Sequence, residues 1–185
     1  EASGWFREPI NSVEELKGKK MRFFGLGARV MEKLGVSAQT LPVGDTVPAL
    51  ELGTIDAAEI SMPALDLKLG MQAYAKHYYF PGWHQQTSLF SLLINRDVWD
   101  SLSERNKMAV NEVCRSAVTE SIAWGEAIQF EALQELTEAG VTLHKWSPEV
   151  LEAMEAAWGE VVEELSADAD FAKVWKSYSD FRSAH

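Results

Sequence analysis

The stretch that decides the fold is residues 16–59, LKGKKMRFFGLGARVMEKLGVSAQTLPVGDTVPALELGTIDAAE. Three short segments in it, at residues 21–24, 37–42 and 54–60, are rich in apolar or β-forming residues and are bounded by glycines and polar residues. Runs of this kind predict strands that are buried in a sheet. The stretch therefore predicts three strands within about 40 residues.

Short helices are predicted between these strands. Residues 28–34 have helical character and stop at Gly35, a residue suited to ending a helix with a left-handed conformation. Asp45 is expected to cap a second helix that carries Pro48 in its first turn and ends at Gly53. Strands that alternate with short helices are typical of an α/β fold with a parallel sheet.

Arg22 lies inside the first predicted strand and Glu59 closes the third, and ligands of parallel α/β sheets bind at the carboxyl ends of strands, so these are the two residues to explain. An unpaired guanidinium in an apolar run would be costly to bury. Arg22 must therefore pair either with a carboxylate of the protein or with a carboxylate of a ligand, which its planar fork can bind through two hydrogen bonds. Glu59 is either a ligand-binding residue of this kind or an acid that caps a helix or lies on the surface.

The rest of the chain is mostly helical. The predicted elements are a helix at 63–76, a turn at 78–83, an apolar strand at 87–95, a helix from Ser103 to about Ala139, a strand at 141–145, and helices that begin at Ser147 and at Asp168 or Asp170. At 1.5 Å per residue the long helix would measure ~50 Å, more than the width of a small domain. Such a helix is expected to span two lobes or to reach a partner.

The net charge of −11 argues against nucleic acid and anionic membranes as partners. An anionic ligand would also be repelled by this overall charge, so its binding needs a local cation such as Arg22. No apolar run reaches the ~20 residues that a membrane-spanning helix requires. The single cysteine, Cys114, excludes an internal disulfide and is expected to be a small buried apolar residue.

A nucleotide-dependent enzyme is one alternative, because the segment GLGARV at residues 25–30 follows a strand and opens a helix. However, Val30 replaces the third glycine of the dinucleotide-binding fingerprint, and the helix is short. No GxSxG, HExxH or CxxC motif is present, so we do not expect an enzyme. A third class, an interaction protein that uses helix 104–139, stays open. Fluorescence of a nicotinamide cofactor would reveal the enzyme, and thermal shifts with small carboxylates would reveal a binding protein.

Four segments carry a family resemblance: LKGKKMR (16–22), GARVMEKLGV (27–36), PALELGTIDAAE (48–59) and AKHYYFPGW (75–83). In this order and spacing they resemble the DctP-like solute-binding proteins of tripartite ATP-independent periplasmic (TRAP) transporters, in particular the branch that binds 2-oxo acids and related small carboxylates. The resemblance implies an α/β fold with periplasmic-binding-protein-like lobes, a short mixed or parallel sheet, flanking helices and one long lobe-spanning helix.

The resemblance covers the C-terminal part of such proteins and implies a division of the chain. Residues 1–60 would form the α/β core of the second lobe, 61–102 would return to the first lobe, 103–140 would be the spanning helix, and 141–185 would complete the second lobe. The first lobe would be largely absent. The strand at 87–95 would then be an open apolar edge that favours a homodimer or abnormal packing, which light scattering would test.

The resemblance also implies the site. The arginine that matches Arg22 clamps the substrate carboxylate, and the glutamate that matches Glu59 helps to hold a cation that bridges to the substrate. A hard cation with oxygen ligands, Na⁺ or Ca²⁺, would suit this site. Ile60 would contribute its backbone carbonyl, although the branch usually has an aromatic residue at this position.

Three further residues are expected at the ligand. Phe24 would line it, and Trp83 would flank it, with simple packing as the alternative. His84 stands where the branch tends to have a tryptophan. A neutral His84 would hydrogen-bond a ligand oxygen, a protonated one would bind a dicarboxylate, and a solvent-facing side chain is the alternative.

Together these expectations describe a periplasmic binding protein. It would capture a small organic carboxylate between two lobes and deliver it to TRAP membrane subunits, without catalysing a reaction.

Overall fold

A mixed sheet of six strands lies at the centre of the chain in the computed structural model, which describes residues 1–85 and 87–184. The strands are β1 (Gly4–Phe6), β2 (Lys20–Arg22), β3 (Ser37–Gln39), β4 (Ala57–Ala58), β5 (His77–Phe80) and β6 (Thr142–Lys145), in the spatial order β3-β2-β4-β1-β5-β6. β1 runs antiparallel to both of its neighbours, and the other pairs are parallel. The predicted α/β class is confirmed.

Helices cover the sheet and extend beyond it. They are α1 (Gly25–Lys33), α2 (Val43–Glu51), α3 (Pro63–Leu69), α4 (Arg96–Ser101), α5 (Glu104–Glu138), α6 (Pro148–Leu165) and α7 (Ala169–Ala184), with 3-10 helices at Glu14–Leu16 and Met71–Ala73. The predicted serine caps of α5 and α6 are confirmed, because the hydroxyls of Ser103 and Ser147 accept hydrogen bonds from backbone N–H groups three residues later. Among the described residues, no helix combines the length and the apolar character that a membrane crossing requires.

The start of α2 differs from the prediction. The helix begins at Val43, so Asp45 lies within its first turn and is not the N-cap, and Pro48 lies inside the helix. The reason is local. The backbone N–H of Asp45 donates to the carbonyl of Pro42 at 3.0 Å, so the first turn of the helix forms before Asp45 and not after it.

Two predictions near the middle of the chain are wrong. The sequence predicts a turn at 78–83, but His77–Phe80 form β5, whose Tyr78 and Tyr79 are buried and which pairs with β1 and β6. Residues 87–95 form no strand, and Phe90 is 96% exposed. In the described part of the chain no strand lies beside this segment, and backbone groups without a partner strand do not form a sheet. The homodimer stays a prediction.

The core has two layers because alternate residues of a strand point to opposite faces of the sheet. On one face, Phe6 packs with residues that include Tyr79, Trp146 and Met154. On the other face, Trp5 packs with residues that include Leu50, Ala58, Met71, Tyr78 and Leu136. The two neighbouring residues of β1 therefore connect both layers of the core.

The predicted long helix is confirmed as α5, which has 35 residues. Its buried residues, Ala132 and Leu136, lie near its C-terminal end. Its earlier turns expose large apolar side chains, namely Met108, Val113, Val118, Ile122, Trp124 and Phe130. Cys114 is also exposed on this helix, so its expected burial is wrong. Most of the helix therefore lies outside the core.

Candidate functional site

Four side chains meet at one edge of the sheet, and the strand directions explain why. Arg22 ends β2 and Glu59 follows β4, and these parallel neighbours end at the same edge. β1 runs the other way, so Glu1, which lies just before it, reaches the same edge. β5 is antiparallel to β1, and the segment after it brings His84 back to this edge. The carboxyl ends of parallel strands are where ligands of such sheets bind.

Arg22 is 4% exposed and is held in place by the backbone. Its Nη1 donates to the carbonyl oxygen of Glu59 and lies 3.5 Å from Oε2 of the same residue, and its Nε donates to the carbonyl of Leu41 at 3.3 Å. Burial lowers the pKa of Arg22, and the charges of Glu59 and Asp66 oppose this change. Among the described residues the hydrogen bonds of this guanidinium come from Nη1 and Nε, and none comes from Nη2.

Glu1, Glu59 and His84 form a cluster of possible metal ligands. One donor atom from each lies within 4.8 Å of the other two, and His84 Nε2 is 3.4 Å from Glu59 Oε1. The side chain of His84 is 7% exposed, and within the described residues neither of its ring nitrogens has a hydrogen-bond partner. Burial raises the pKa of the Glu1 carboxyl, and the nearby His84 opposes this change. Carboxylate oxygens at this spacing, together with a buried nitrogen that lacks a partner, fit a bound cation.

The other expected site residues lie around this cluster. The ring of Phe24, which is 43% exposed, lies 4.2 Å from the guanidinium carbon of Arg22. Trp83 is half-buried and packs beside His84, with ring centres 5.3 Å apart. Ile60 packs against the core on the Trp5 face of the sheet. The structure thus brings Phe24 and Trp83 next to the charged groups, whereas the side chain of Ile60 belongs to the core.

The ring of Phe23 packs against His84, and the absence of a side chain at Gly27 leaves space for the Phe23 ring. The buried Phe23 ring meets the imidazole of His84 edge to face, with centres 4.8 Å apart. A Cβ atom at position 27 would lie 2.4 Å from Cε1 of Phe23. The absence of a side chain at Gly27 is therefore a packing requirement.

Gly27→Ala is expected to destabilise the chain by about 1–3 kcal/mol, because the added methyl group displaces the buried Phe23 ring. Gly159→Ala is the matched control, since a methyl group at this exposed position of α6 would point into open space. It should stabilise the helix by up to about 1 kcal/mol. Urea unfolding of both variants measures the difference. Equal stability of the two variants would contradict this account of Gly27.

Glu1 is a site residue that the sequence reasoning missed, because the three-residue strand β1 was not predicted. A hydrogen bond from the N–H of Gly82 to the carbonyl of Glu1, at 2.8 Å, holds Glu1 beside the cluster. A Cβ atom at Gly82 would lie 2.9 Å from the backbone of Glu1. The Pro-Gly pair in PGW was the available signal for such a close approach.

Asp66 was also missed. It lies in α3 and is 1% exposed, and its Oδ2 accepts hydrogen bonds from Trp5 Nε1 at 2.8 Å and from the Tyr78 hydroxyl at 2.7 Å. Burial raises its pKa to about 6, although both donors oppose this change. The signal in the sequence was a single acid among the leucines of the helix PALDLKL, whose other charged residue, Lys68, lies in its last turn.

The sequence matches a known family over most of its length. Residues 1–168 match the sequence model of the DctP family, described as bacterial extracellular solute-binding protein, family 7. A monocarboxylate 2-oxoacid-binding periplasmic protein of Nostoc sp. is 38% identical over 184 residues, which are 97% of this chain and 50% of that protein. The chain therefore spans about half the length of the curated relatives it matches.

Solved structures show the same fold. A TRAP periplasmic solute binding protein from Colwellia psychrerythraea, with bound calcium and pyruvate, has a TM-score of 0.90 at 32% identity, covering 99% of this chain and 56% of that one. Another from Pseudoalteromonas atlantica, with bound sodium and pyruvate, has a TM-score of 0.85 at 31% identity, with 99% and 56% covered. These findings confirm the resemblance that the four sequence segments indicated.

Proposed function

Because this chain belongs to bacterial extracellular solute-binding protein family 7, the DctP family, we propose that it is the ligand-binding part of a periplasmic protein that captures a small organic carboxylate for a TRAP transporter. The chain would deliver this solute unchanged to the membrane subunits of the transporter. Binding and release without reaction would make it a carrier and not an enzyme.

The observation that carries this proposal is the buried guanidinium of Arg22 at the ligand-binding edge of the sheet. Its backbone contacts hold it in one orientation, so little conformational entropy is lost when a carboxylate binds. A carboxylate that replaces water there gains charge-assisted hydrogen bonds in a poorly hydrated environment. This local cation also offsets the repulsion expected from a net charge of −11.

A cation is the second part of the proposed site. The Colwellia and Pseudoalteromonas proteins hold calcium or sodium together with pyruvate. We infer that Glu59 binds a cation here, with the carbonyl of Ile60 as a further oxygen ligand, and that the cation bridges to the carboxylate. Phe24, Trp83 and His84 would form the walls around the solute.

Pyruvate binding tests this proposal. In buffer with both Ca²⁺ and Na⁺, pyruvate at a hundredfold excess over its Kd should stabilise the chain by about 2.7 kcal/mol, seen as a rise in the melting temperature. Methyl pyruvate is the control, since it has the same carbon skeleton without the negative charge. Equal shifts with both compounds would argue against a carboxylate clamp. No shift with pyruvate or with any other small carboxylate would count against a binding protein.

A further inference from the structure

We propose that Glu1, Glu59 and His84 together bind a divalent cation, with His84 as a nitrogen ligand. This inference rests on the proposed function, because the captured carboxylate would complete the coordination of the cation. The site differs from the cation site expected from the sequence in two ligands, Glu1 and His84, and in having a nitrogen ligand, which favours a transition metal over the expected Na⁺ or Ca²⁺.

The geometry of the three residues suits a single ion. They come from three separate parts of the chain, yet their donor atoms lie within 4.8 Å of one another. One ion at about 2.0–2.4 Å from each atom can bridge such a set. Glu59 is 6% exposed and the His84 side chain 7%, so these donors are shielded from water before any ion binds.

The lack of hydrogen-bond partners for the buried His84 ring within the described part of the chain also points to a ligand. A buried imidazole normally has a hydrogen-bond partner, because leaving its polar atoms without one costs free energy. Within the described residues, neither ring nitrogen of His84 has such a partner, although Nε2 lies only 3.4 Å from a carboxylate oxygen of Glu59. A metal ion bound by both His84 Nε2 and Glu59 Oε1 would give each of these two atoms a partner.

The local charge favours a divalent ion. Counted over side chains alone, Arg22 contributes one positive charge and Glu1 and Glu59 contribute two negative charges, so a bound monocarboxylate brings the sum to about −2 with His84 neutral. The buried Asp66, which interacts electrostatically with Arg22, supplies no positive charge to offset this. A divalent ion balances the sum, whereas Na⁺ leaves an uncompensated negative charge in a buried site, which is unfavourable.

The donor set also bears on which divalent ion binds. Ca²⁺ prefers oxygen ligands, whereas imidazole suits first-row transition metals, and Mn²⁺ accepts carboxylate oxygens as well. One nitrogen and two carboxylates therefore favour Mn²⁺ or Zn²⁺ over Ca²⁺. In this respect we expect the chain to differ from the relatives that hold calcium or sodium.

Mn²⁺ binding provides the direct test, because the electron paramagnetic resonance signal of free Mn²⁺ decreases as the ion binds to protein. The chain would be freed of metal with a chelator, dialysed and titrated with Mn²⁺ alone. We expect one bound ion per chain, displaced by Zn²⁺ and more weakly by Ca²⁺, and unaffected by Na⁺.

Two variants and one control assign the ion to the cluster. His84→Phe keeps an aromatic ring against Phe23 without a nitrogen, and Glu1→Gln removes one charge. Each should weaken Mn²⁺ binding at least about 10-fold, since even residues behind the ligands contribute 10–100-fold. His77→Phe is the control, because His77 is half-buried and lies outside the cluster, with Nδ1 2.9 Å from Nε2 of His144. Thermal melts show whether each variant is folded.

The results separate this inference from the proposed function. Pyruvate binding that is equally tight in Na⁺ with chelator and in Mn²⁺ would overturn the divalent site while the carboxylate-binding function stands. Mn²⁺ binding unchanged by His84→Phe but lost in His77→Phe would also overturn it. Mn²⁺ binding at the cluster without binding of any carboxylate would support the site and contradict the proposed function.

Discussion

Substitution of Arg22 by alanine or by lysine is expected to abolish carboxylate binding. Removing one partner of a buried, hydrogen-bonded charge pair costs about 2–5 kcal/mol of binding free energy, which corresponds to a loss of roughly 30-fold or more in affinity. Lysine keeps the charge, but it cannot reproduce the planar fork that binds two carboxylate oxygens. Calorimetric titration with pyruvate measures the loss directly.

The control for Arg22 is Arg29→Lys. Arg29 lies on α1 and its contact with Glu164 is exposed, so this variant should bind pyruvate as the unchanged chain does. Arg22→Ala also removes the hydrogen bonds to Glu59 and Leu41, so its melting temperature must be measured together with its affinity. A folded Arg22→Lys variant with undiminished affinity would rule out the clamp.

Asp66 is expected to make folding stability depend on pH between about 4 and 6. Its pKa rises from 3.8 to about 6 in the folded chain, mainly because the carboxyl is buried. A raised pKa means that the folded state holds the proton more tightly than the unfolded state. The stabilisation from this proton is therefore complete below pH 3.8 and is lost as the pH rises through 6. At about 1.4 kcal/mol per pH unit the full effect is ~3 kcal/mol.

Asp66→Asn isolates this effect, because an amide cannot ionise while its oxygen can still accept hydrogen bonds from Trp5 and Tyr78. Between about pH 4.5 and 7.5, the unchanged chain should lose about 2 kcal/mol of unfolding free energy relative to this variant. Urea unfolding at both pH values gives the difference. Asp170→Asn, at an exposed position of α7, controls for the loss of one charge. A constant difference between Asp66→Asn and the unchanged chain would disprove the expected titration.

Local sequence patterns are sufficient to predict some elements, because the residues that interact to form these elements are close in sequence. The cap at Ser103 and the glycine that follows α5 mark a helix whose hydrogen bonds all connect residues a few positions apart. The charge of Arg22 in an apolar run likewise indicates a partner without any knowledge of the fold. Such features depend on neighbours within one or two turns of the chain.

Prediction from local patterns fails where a segment needs a partner strand that is far away in sequence. The segment at 87–95 has the composition of a strand, but among the described residues it has no neighbouring strand and does not become one. The segment that contains Tyr78 has the local signals of a turn, yet it is a strand because β1 and β6 lie on either side of it. Strand formation requires backbone partners, which local composition does not supply.

The sequence by itself determined the α/β class, the long helix, and Arg22 and Glu59 as the residues to explain. The tertiary structure decided that Glu1 joins them, that His84, which the family resemblance placed at the ligand, lies beside Glu59, and that Asp66 is buried where Trp5 and Tyr78 both donate to it. The physical reason is the antiparallel direction of β1. It places the residue before β1 at the edge where β2 and β4 end, and strand direction is set by long-range hydrogen bonds.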